Sequence, residues 1–156
     1  MSECSMSSLK ITVMNLNNFD MNIETFASAD KIKCAIKDEQ RVLYSPDGKW
    51  LYGTAHPGIK SLAIRPGTEI IADLAFFFPN QDIHHVIVPN GVIAIGKWAF
   101  AGFHFLLTVE LPDSLEHIGE EIFKFCHHIV TIFIPKGTKD KFGKLLPDYK
   151  SLLVEK

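Results

Sequence analysis

The sequence lacks long hydrophobic runs, is poor in cysteine and carries no excess of charge of either sign. The longest unbroken apolar stretch spans residues 74–78, far short of the roughly 20 residues that a transmembrane helix needs. Three cysteines in 156 residues, without a CxxC spacing, are too few for a disulfide scaffold and favour reduced thiols over a metal or redox site. The 16 Lys and Arg are balanced by 18 Asp and Glu, so there is no basic field to attract nucleic acid.

Residues 1–8, which read MSECSMSS, have neither a positively charged region nor an apolar stretch. A secretory signal is therefore not expected in them, and we predict a disordered tail. A cytoplasmic protein and a chain from which a signal has been removed both remain open, so the compartment is unknown.

What the sequence does have is an internal repeat. A pattern of alternating aliphatic residues, usually closed by proline, recurs at spacings of 24, 23 and 23 residues; it occupies 59–65, 83–89, 106–112 and 129–135. A second pattern, which reads Ile-Gly-x-x-Ala-Phe in its clearest copy, follows at 71–76, 95–100 and 118–123. Repetition at this period indicates structural units that stack on one another.

The chemistry of one unit predicts its local structure. Val86 and Val88 alternate with other residues, as in a short strand with one buried face. Pro89 has no N–H to donate and therefore ends the strand. Gly96, which follows an isoleucine, is expected to allow a tight bend. The Ala-Phe pair that ends at Phe100 suits a single helical turn whose phenylalanine points inward.

Stacking predicts how the units share a core. One unit cannot enclose a core alone, but neighbouring units can share a continuous one. Their strands are expected to pair in parallel about 4.8 Å apart, with right-handed connections. Because Phe76, Phe100 and Phe123 occupy equivalent positions, the stacking predicts that their rings form one column.

These residues resemble the BspA-like leucine-rich repeats, whose 23-residue units read roughly LxxIxIPxxVxxIGxxAFxxC. Residues 86–103 and 109–126 match closely, with Cys126 at the cysteine position and Phe103 in its place one unit earlier. The first unit is degenerate, since Arg65 replaces the proline. The resemblance implies an α/β, β-rich fold: a right-handed leucine-rich-repeat solenoid with short parallel strands and one helical turn per repeat.

The chain is predicted to form one domain with a capped array. Residues 9–58 form an N-terminal cap with a β-hairpin, 59–134 hold three full repeats and the start of a fourth, and 135–156 form a helical C-terminal cap. The hairpin is expected because a Pro-Asp-Gly turn at 46–48 separates two apolar runs. Caps are expected because a stacked array exposes its core at both ends.

The sequence also predicts elements within the two caps. Strands are expected at 9–13 and 32–36, with Phe26 beneath the N-terminal cap. In the C-terminal cap we expect a helix that Pro147 ends, followed by a last short strand or turn at 151–154.

The residues between the buried strand positions are expected to point out of the sheet and to form a recognition stripe. Exposed apolar area often marks a contact with another protein. The candidate binding residues on this strand face are His85, Ile87, Thr108, Glu110, Thr131 and Phe133. The alternative is that the N-terminal cap or a partner subunit covers them, or that exposed apolar residues are merely tolerated.

The resemblance implies a non-catalytic protein-binding module, as in bacterial surface or secreted proteins that attach to host matrix proteins or to other surface proteins. No cofactor, metal or nucleic-acid partner is expected, and no catalytic motif is present. Two alternatives remain: a self-assembling unit in which Ile87 and Phe133 pair between copies, and a metal-dependent enzyme that uses some of the seven histidines. Trp98 is either an interface anchor or packed on a neighbouring turn. The ligand and the oligomeric state stay open.

Overall fold

Two sheets built mainly from parallel strands run along the repeats. In this computed structural model of the protein, the residues described are 23–54, 58–77 and 82–156. Their helices are α1 (Ala29–Lys33), α2 (Lys139–Leu145) and a 3₁₀ helix (Pro147–Leu152). Their strands are β1 (Ile36–Lys37), β2 (Val42–Tyr44), β3 (Trp50–Thr54), β4 (Ser61–Ala63), β5 (Ile70–Ile71), β6 (His85–Ile87), β7 (Ala94–Ile95), β8 (Thr108–Glu110), β9 (His117–Ile118), β10 (Thr131–Ile134) and β11 (Leu153–Glu155). None of these helices is long and apolar enough to cross a membrane.

The front sheet consists of β4, β6, β8, β10 and β11, and its neighbouring strands are parallel. Equivalent residues of successive repeats lie opposite one another: Leu62 faces Val86, Val86 faces Val109, and Val109 faces Ile132. All four side chains are buried in the core, as their alternation with exposed neighbours predicts. The repeat period therefore sets the register of this sheet.

The rear sheet consists of β1, β2, β3, β5, β7 and β9. Its first part is antiparallel, because the chain reverses between β2 and β3. From β3 onward the strands are parallel, with Ile71 opposite Ile95 and Ile95 opposite Ile118. The sequence predicts a tight bend at Gly96 but no strand before it, whereas the structure has a two-residue strand that ends at Ile95.

Gly96 and Gly119 are needed because successive units approach closely, not because the chain bends sharply. A Cβ atom on Gly96 would overlap the backbone nitrogen of Asp73, and one on Gly119 would overlap that of Lys97. Neither glycine has φ in the left-handed region. The predicted role of this position is thus corrected: the absent side chain lets the backbone of one unit lie against the next.

The turns that follow the rear strands are not helical, which corrects the prediction of one helical turn per repeat. Leu74, Trp98 and Glu121 have φ of 56°, 57° and 50°, a left-handed conformation that a right-handed helix excludes. The turns bond to the neighbouring unit instead, since Phe76 N donates to Ala99 O at 2.9 Å. Backbone hydrogen bonds therefore tie the units together on this side as well.

Side chains from both sheets and from the turns enclose one core. Phe76 and Phe100 stack with ring centroids 5.7 Å apart, and Phe100 and Phe123 with centroids 6.0 Å apart. The predicted phenylalanine column is confirmed. Tyr149 of the 3₁₀ helix closes the column by an edge contact with Phe123, with centroids 5.3 Å apart.

The strand predicted at 32–36 is wrong, because most of this segment belongs to α1 or its C-terminal end. Ser28 provides the helix N-cap and accepts a hydrogen bond from Lys31 N at 3.3 Å, a strong signal for a helix start. Within the predicted segment only Ile36 is extended, as the first residue of β1. Phe26 is 62% exposed, so its predicted place beneath the cap is also wrong.

Two further N-terminal predictions lie outside the described residues: the tail at 1–8 and the strand at 9–13. The expectation of reduced thiols needs a correction. Cys34 is disulfide-bonded, whereas Cys126 is a buried free thiol.

Residues 23–27 lie on the outer side of the rear sheet, where they complete a second apolar cluster. The cluster contains Trp50, Ile70 and Ala72, with Ile23, Ala27, Tyr52 and Ile93 packed against it. Thr25 Oγ1 donates to Asp73 Oδ1 at 2.7 Å, and Asp73 N donates to Thr25 O at 2.9 Å. The beginning of the described chain thus covers the start of the rear sheet.

The C-terminal residues continue the front sheet after α2 and the 3₁₀ helix. Phe142 of α2 and Leu146, which directly follows this helix, are buried. Pro147 follows α2 and begins the 3₁₀ helix. β11 then pairs in parallel with β10, with Leu153 opposite Ile132.

Candidate protein-interaction surface

The outward side of the front sheet brings together all six candidate binding residues. The register arranges the outward positions in a hydroxyl row of Ser61, His85, Thr108 and Thr131, and an outer row of Ala63, Ile87, Glu110, Phe133 and Val154. Within the hydroxyl row, His85 Nδ1 and Thr108 Oγ1 lie 2.8 Å apart and share a hydrogen bond. The rows run along the stack, so each residue is about one strand spacing from the next.

The outer row is apolar at both ends and carries an ion pair between them. Ile87 is 41% and Val154 45% exposed, whereas Phe133 is half-buried. Lys156 Nζ lies 5.3 Å from the centroid of the Phe133 ring and 2.6 Å from Glu110 Oε1. Phe133 is thus less accessible than the sequence predicts, because the Lys156 side chain covers part of it.

A third row, which was not predicted from the sequence, borders the hydroxyl row where the strands begin. This leading row contains Lys60, His84, Leu107 and Val130, whose backbones are linked across the stack. Leu107 is 36% and Val130 60% exposed, and the neighbouring Phe105 is 53% exposed. At this repeat position the sequence changes from Lys60 and His84 to the aliphatic Leu107 and Val130. That change is the sequence signal from which this row could have been predicted.

A shallow depression lies beside the outer row, where β8 and β10 end. It measures about 260 Å³ and is bordered by Asn90, Pro112, Pro135 and the Glu110–Lys156 pair. That volume is below the roughly 300–1,000 Å³ of typical small-molecule sites. The depression is therefore smaller than a typical small-molecule site.

Five histidines lie at or just before the starts of front strands: His84 and His85 at β6, His104 before β8, and His127 and His128 before β10. The rings of His104 and His127 are nearly parallel, with centroids 6.3 Å apart. His84 lies 6.1 Å from the Phe105 ring and places Nε2 3.4 Å from Asp82 Oδ1. Within the described part of the chain, no three His, Cys, Asp or Glu side chains are grouped so as to hold a metal ion.

On the turn side, Trp98 is packed on neighbouring turns. Its ring centroid lies 5.5 Å from that of Phe77, and its Nε1 donates to Glu121 Oε2 at 2.9 Å. Lys124 Nζ lies 5.1 Å from the indole and 2.6 Å from Glu121 Oε1, and this bond lowers the pKa of Glu121. Of the two alternatives for Trp98, packing on a neighbouring turn therefore describes it better than a role as an exposed interface anchor.

Cys126 is unsuited to nucleophilic chemistry at neutral pH. Its thiol is buried beneath the turns and donates to Phe100 O at 3.2 Å. Burial raises the pKa of Cys126 to about 11, so the reactive thiolate is scarce near pH 7.

Parallel strands that stack at a period of 23 residues, each followed by an inward phenylalanine, define a protein of the leucine-rich-repeat class. The family model described as BspA type leucine rich repeat region (6 copies) matches residues 56–145. The chain belongs to this family, as its repeat motif predicts. Neither the curated proteins nor the solved structures include a match to the chain.

Proposed function

We propose that this chain is a non-catalytic protein-binding module whose contact surface is the outward side of the front sheet. The observation that carries the proposal is the apolar area exposed there on a hydrogen-bonded sheet, at Ile87, Leu107, Val130 and Val154. Solvent-exposed apolar area grouped on one surface is typical of protein contacts. Members of leucine-rich-repeat families are typically non-catalytic, which agrees with this function.

The architecture supports a rigid but small platform. We infer a right-handed leucine-rich-repeat solenoid whose repeats occupy 59–134, with caps at 9–58 and 135–156. The five front strands span about 19 Å at 4.8 Å per step. Such a surface is near the lower size limit of a specific protein interface, so the rows at its borders are part of the binding area.

The partner class follows from the family and the surface chemistry. Because Glu110 and Lys156 neutralise each other in the middle of the outer row, apolar contacts provide the main attraction at neutral pH. We propose a protein partner, such as a host matrix protein or another surface protein, and a surface or secreted location with a role in adhesion.

A capture experiment with paired variants tests the binding surface. The double variant Ile87→Asp/Phe133→Asp should lose the partners that the natural chain retains, because two charges would enter the apolar row. Leu74→Asp is the matched control, since Leu74 is 50% exposed on the turn side. If the folded double variant keeps every partner, or if Leu74→Asp loses the same ones, the front-sheet proposal is wrong.

Self-assembly is a second candidate because exposed Ile87 and half-buried Phe133 lie in one row that a second copy could cover. Light scattering over a concentration series tests it. A mass that rises with concentration and falls back in Ile87→Asp/Phe133→Asp would support pairing between copies, whereas a constant monomer mass excludes it.

A further inference from the structure

We propose that Cys34 forms an intrachain disulfide with Cys4, and that this bond helps to hold the N-terminal segment on the rear sheet while the chain is oxidised. Cys34 is disulfide-bonded. The chain has only three cysteines, and Cys126 is a buried free thiol. Cys4 is therefore the one cysteine of this chain that remains as a partner for Cys34. Because Cys4 lies outside the described residues, the pairing is assigned by this elimination.

Cys34 occupies a part of the N-terminal cap that has little packing of its own. It is the C-cap residue of α1, and β1 begins two residues later. No residue of α1 is buried, and both residues of β1 are exposed. Backbone hydrogen bonds contribute here, since Cys34 N donates to Lys31 O at 3.3 Å and β1 pairs with β2. A segment with few buried contacts opens readily, so a covalent bond at Cys34 adds a constraint that packing does not supply.

The loop that this bond would close includes the segment that covers the rear sheet. Residues 23–27 fall between Cys4 and Cys34 in the sequence, and they pack on the second apolar cluster. The helix α1 reaches the same cluster, because Lys31 Nζ lies 4.6 Å from the centroid of the Trp50 ring. Closure of a loop removes conformations that the segment gains when it leaves the sheet. The disulfide therefore favours the covered rear sheet.

Formation of the bond is an oxidation, and a small disulfide such as oxidised glutathione is the oxidant. One cysteine thiolate attacks this disulfide and releases one glutathione thiol, and the second cysteine thiolate then attacks the mixed disulfide and releases the other. Two protein thiols thus become one disulfide, while the oxidant takes up two electrons and two protons and becomes two thiols. Such bonds persist in secreted and surface proteins and are rare in the cytosol. The pairing agrees with the proposed surface or secreted location but does not depend on the proposed binding function.

Thiol titration tests the pairing on the full chain, produced in a bacterial periplasm and purified without reductant. The folded chain should show almost no reactive thiol, because Cys126 is buried, and the denatured chain should show about one. Cys4→Ser should release the Cys34 thiol and raise these values to about one and about two. The matched control is Cys126→Ala, which should show almost no thiol in either state.

Peptide mapping by mass spectrometry without reduction identifies the bond directly. One cross-linked species should contain the peptides of Cys4 and Cys34, and it should disappear after treatment with dithiothreitol. A Cys34 peptide that carries an unmodified thiol, or one that is joined to a second copy of itself, to Cys126 or to glutathione, would overturn the pairing.

Hydrogen exchange measures whether the bond holds the segment on the rear sheet. The Asp73 amide, which donates to Thr25 O, should exchange at least about ten-fold faster after reduction with dithiothreitol. The Leu111 amide, which donates to Phe133 O in the front sheet, should change less. Cys4→Ser should show the faster exchange of Asp73 without reductant, and dithiothreitol should not increase it further.

Equal protection of the Asp73 amide before and after reduction, in a chain whose disulfide has been mapped, would overturn the proposed anchoring. An equal acceleration at Asp73 and Leu111 would do the same, because it would show a general loss of stability instead of release of the segment. Neither result bears on the front-sheet proposal, which the Ile87→Asp/Phe133→Asp capture experiment measures.

Discussion

The outward faces of the two sheets differ although the same repeats build both. On the rear sheet, Ile70 is only 2% exposed because residues 23–27 pack over it. On the front sheet, Ile87 is 41% exposed and no segment of the described chain covers it to that extent. The exposure of an outward apolar residue in these repeats therefore depends on whether a segment outside the repeats packs over it.

The largest effect expected from this contrast is on stability. Ile70→Ala should lower the free energy of unfolding by about 2–4 kcal/mol, because it opens a cavity in a closed cluster. Ile87→Ala should lower it by less than about 1 kcal/mol, because water already reaches that side chain. Urea denaturation measures both, and equal losses would contradict the distinction between a covered and an open face.

The interior that both sheets enclose can be probed by alkaline pH. Because burial raises the pKa of Cys126 from 9.0 to about 11, its contribution to stability is complete below about pH 9 and is lost as the pH rises toward 11. The loss should be roughly 2–3 kcal/mol. Cys126→Ala should reduce the decline measured by denaturation between these pH values, and an identical decline in the variant would show that the thiol is accessible in the folded state.

A smaller effect is expected at the contact that holds the N-terminal segment to the rear sheet. Asp73 Oδ1 accepts hydrogen bonds from Thr25 Oγ1 at 2.7 Å and from Lys97 N at 2.8 Å. Asp73→Ala should cost about 1–2 kcal/mol of unfolding free energy, because both donors lose their acceptor.

The control for this change is Asp82→Ala, which removes the contact with His84 and should cost less than about 0.5 kcal/mol. Hydrogen exchange adds a local readout, since the Asp73 amide donates to Thr25 O. Unchanged protection of that amide in Asp73→Ala would mean that the segment is held mainly by its apolar contacts.

The sequence predicted those features that repeat. The spacing of Val86, Val109 and Ile132 fixed the pairing of the front strands, and the Phe76–Phe100–Phe123 column followed from the same period. These contacts recur in each unit, so one correct alignment predicts all of them. The family follows from the same motif.

Features that depend on single contacts could not be predicted in this way. The rear strands of the repeats, β5, β7 and β9, are only two residues long, too short for an alternation to be recognised. Lys156, which follows β11, covers part of the Phe133 ring. The helix α1 replaces the expected strand because Ser28 caps a helix there. In each instance a contact outside the repeated positions decides the local structure.

The pairing of β11 with β10 bears on how the number of repeats in this protein could change. Leu153 lies opposite Ile132 just as Ile132 lies opposite Val109. The final strand therefore pairs with the last repeat in the same way as each repeat pairs with the one before it. Duplication or deletion of a whole 23-residue module would therefore leave both junctions intact. Such a change would lengthen or shorten the front sheet in steps of about 4.8 Å. Duplication of a repeat in the gene could therefore change the length of this surface while the two ends of the array stay the same.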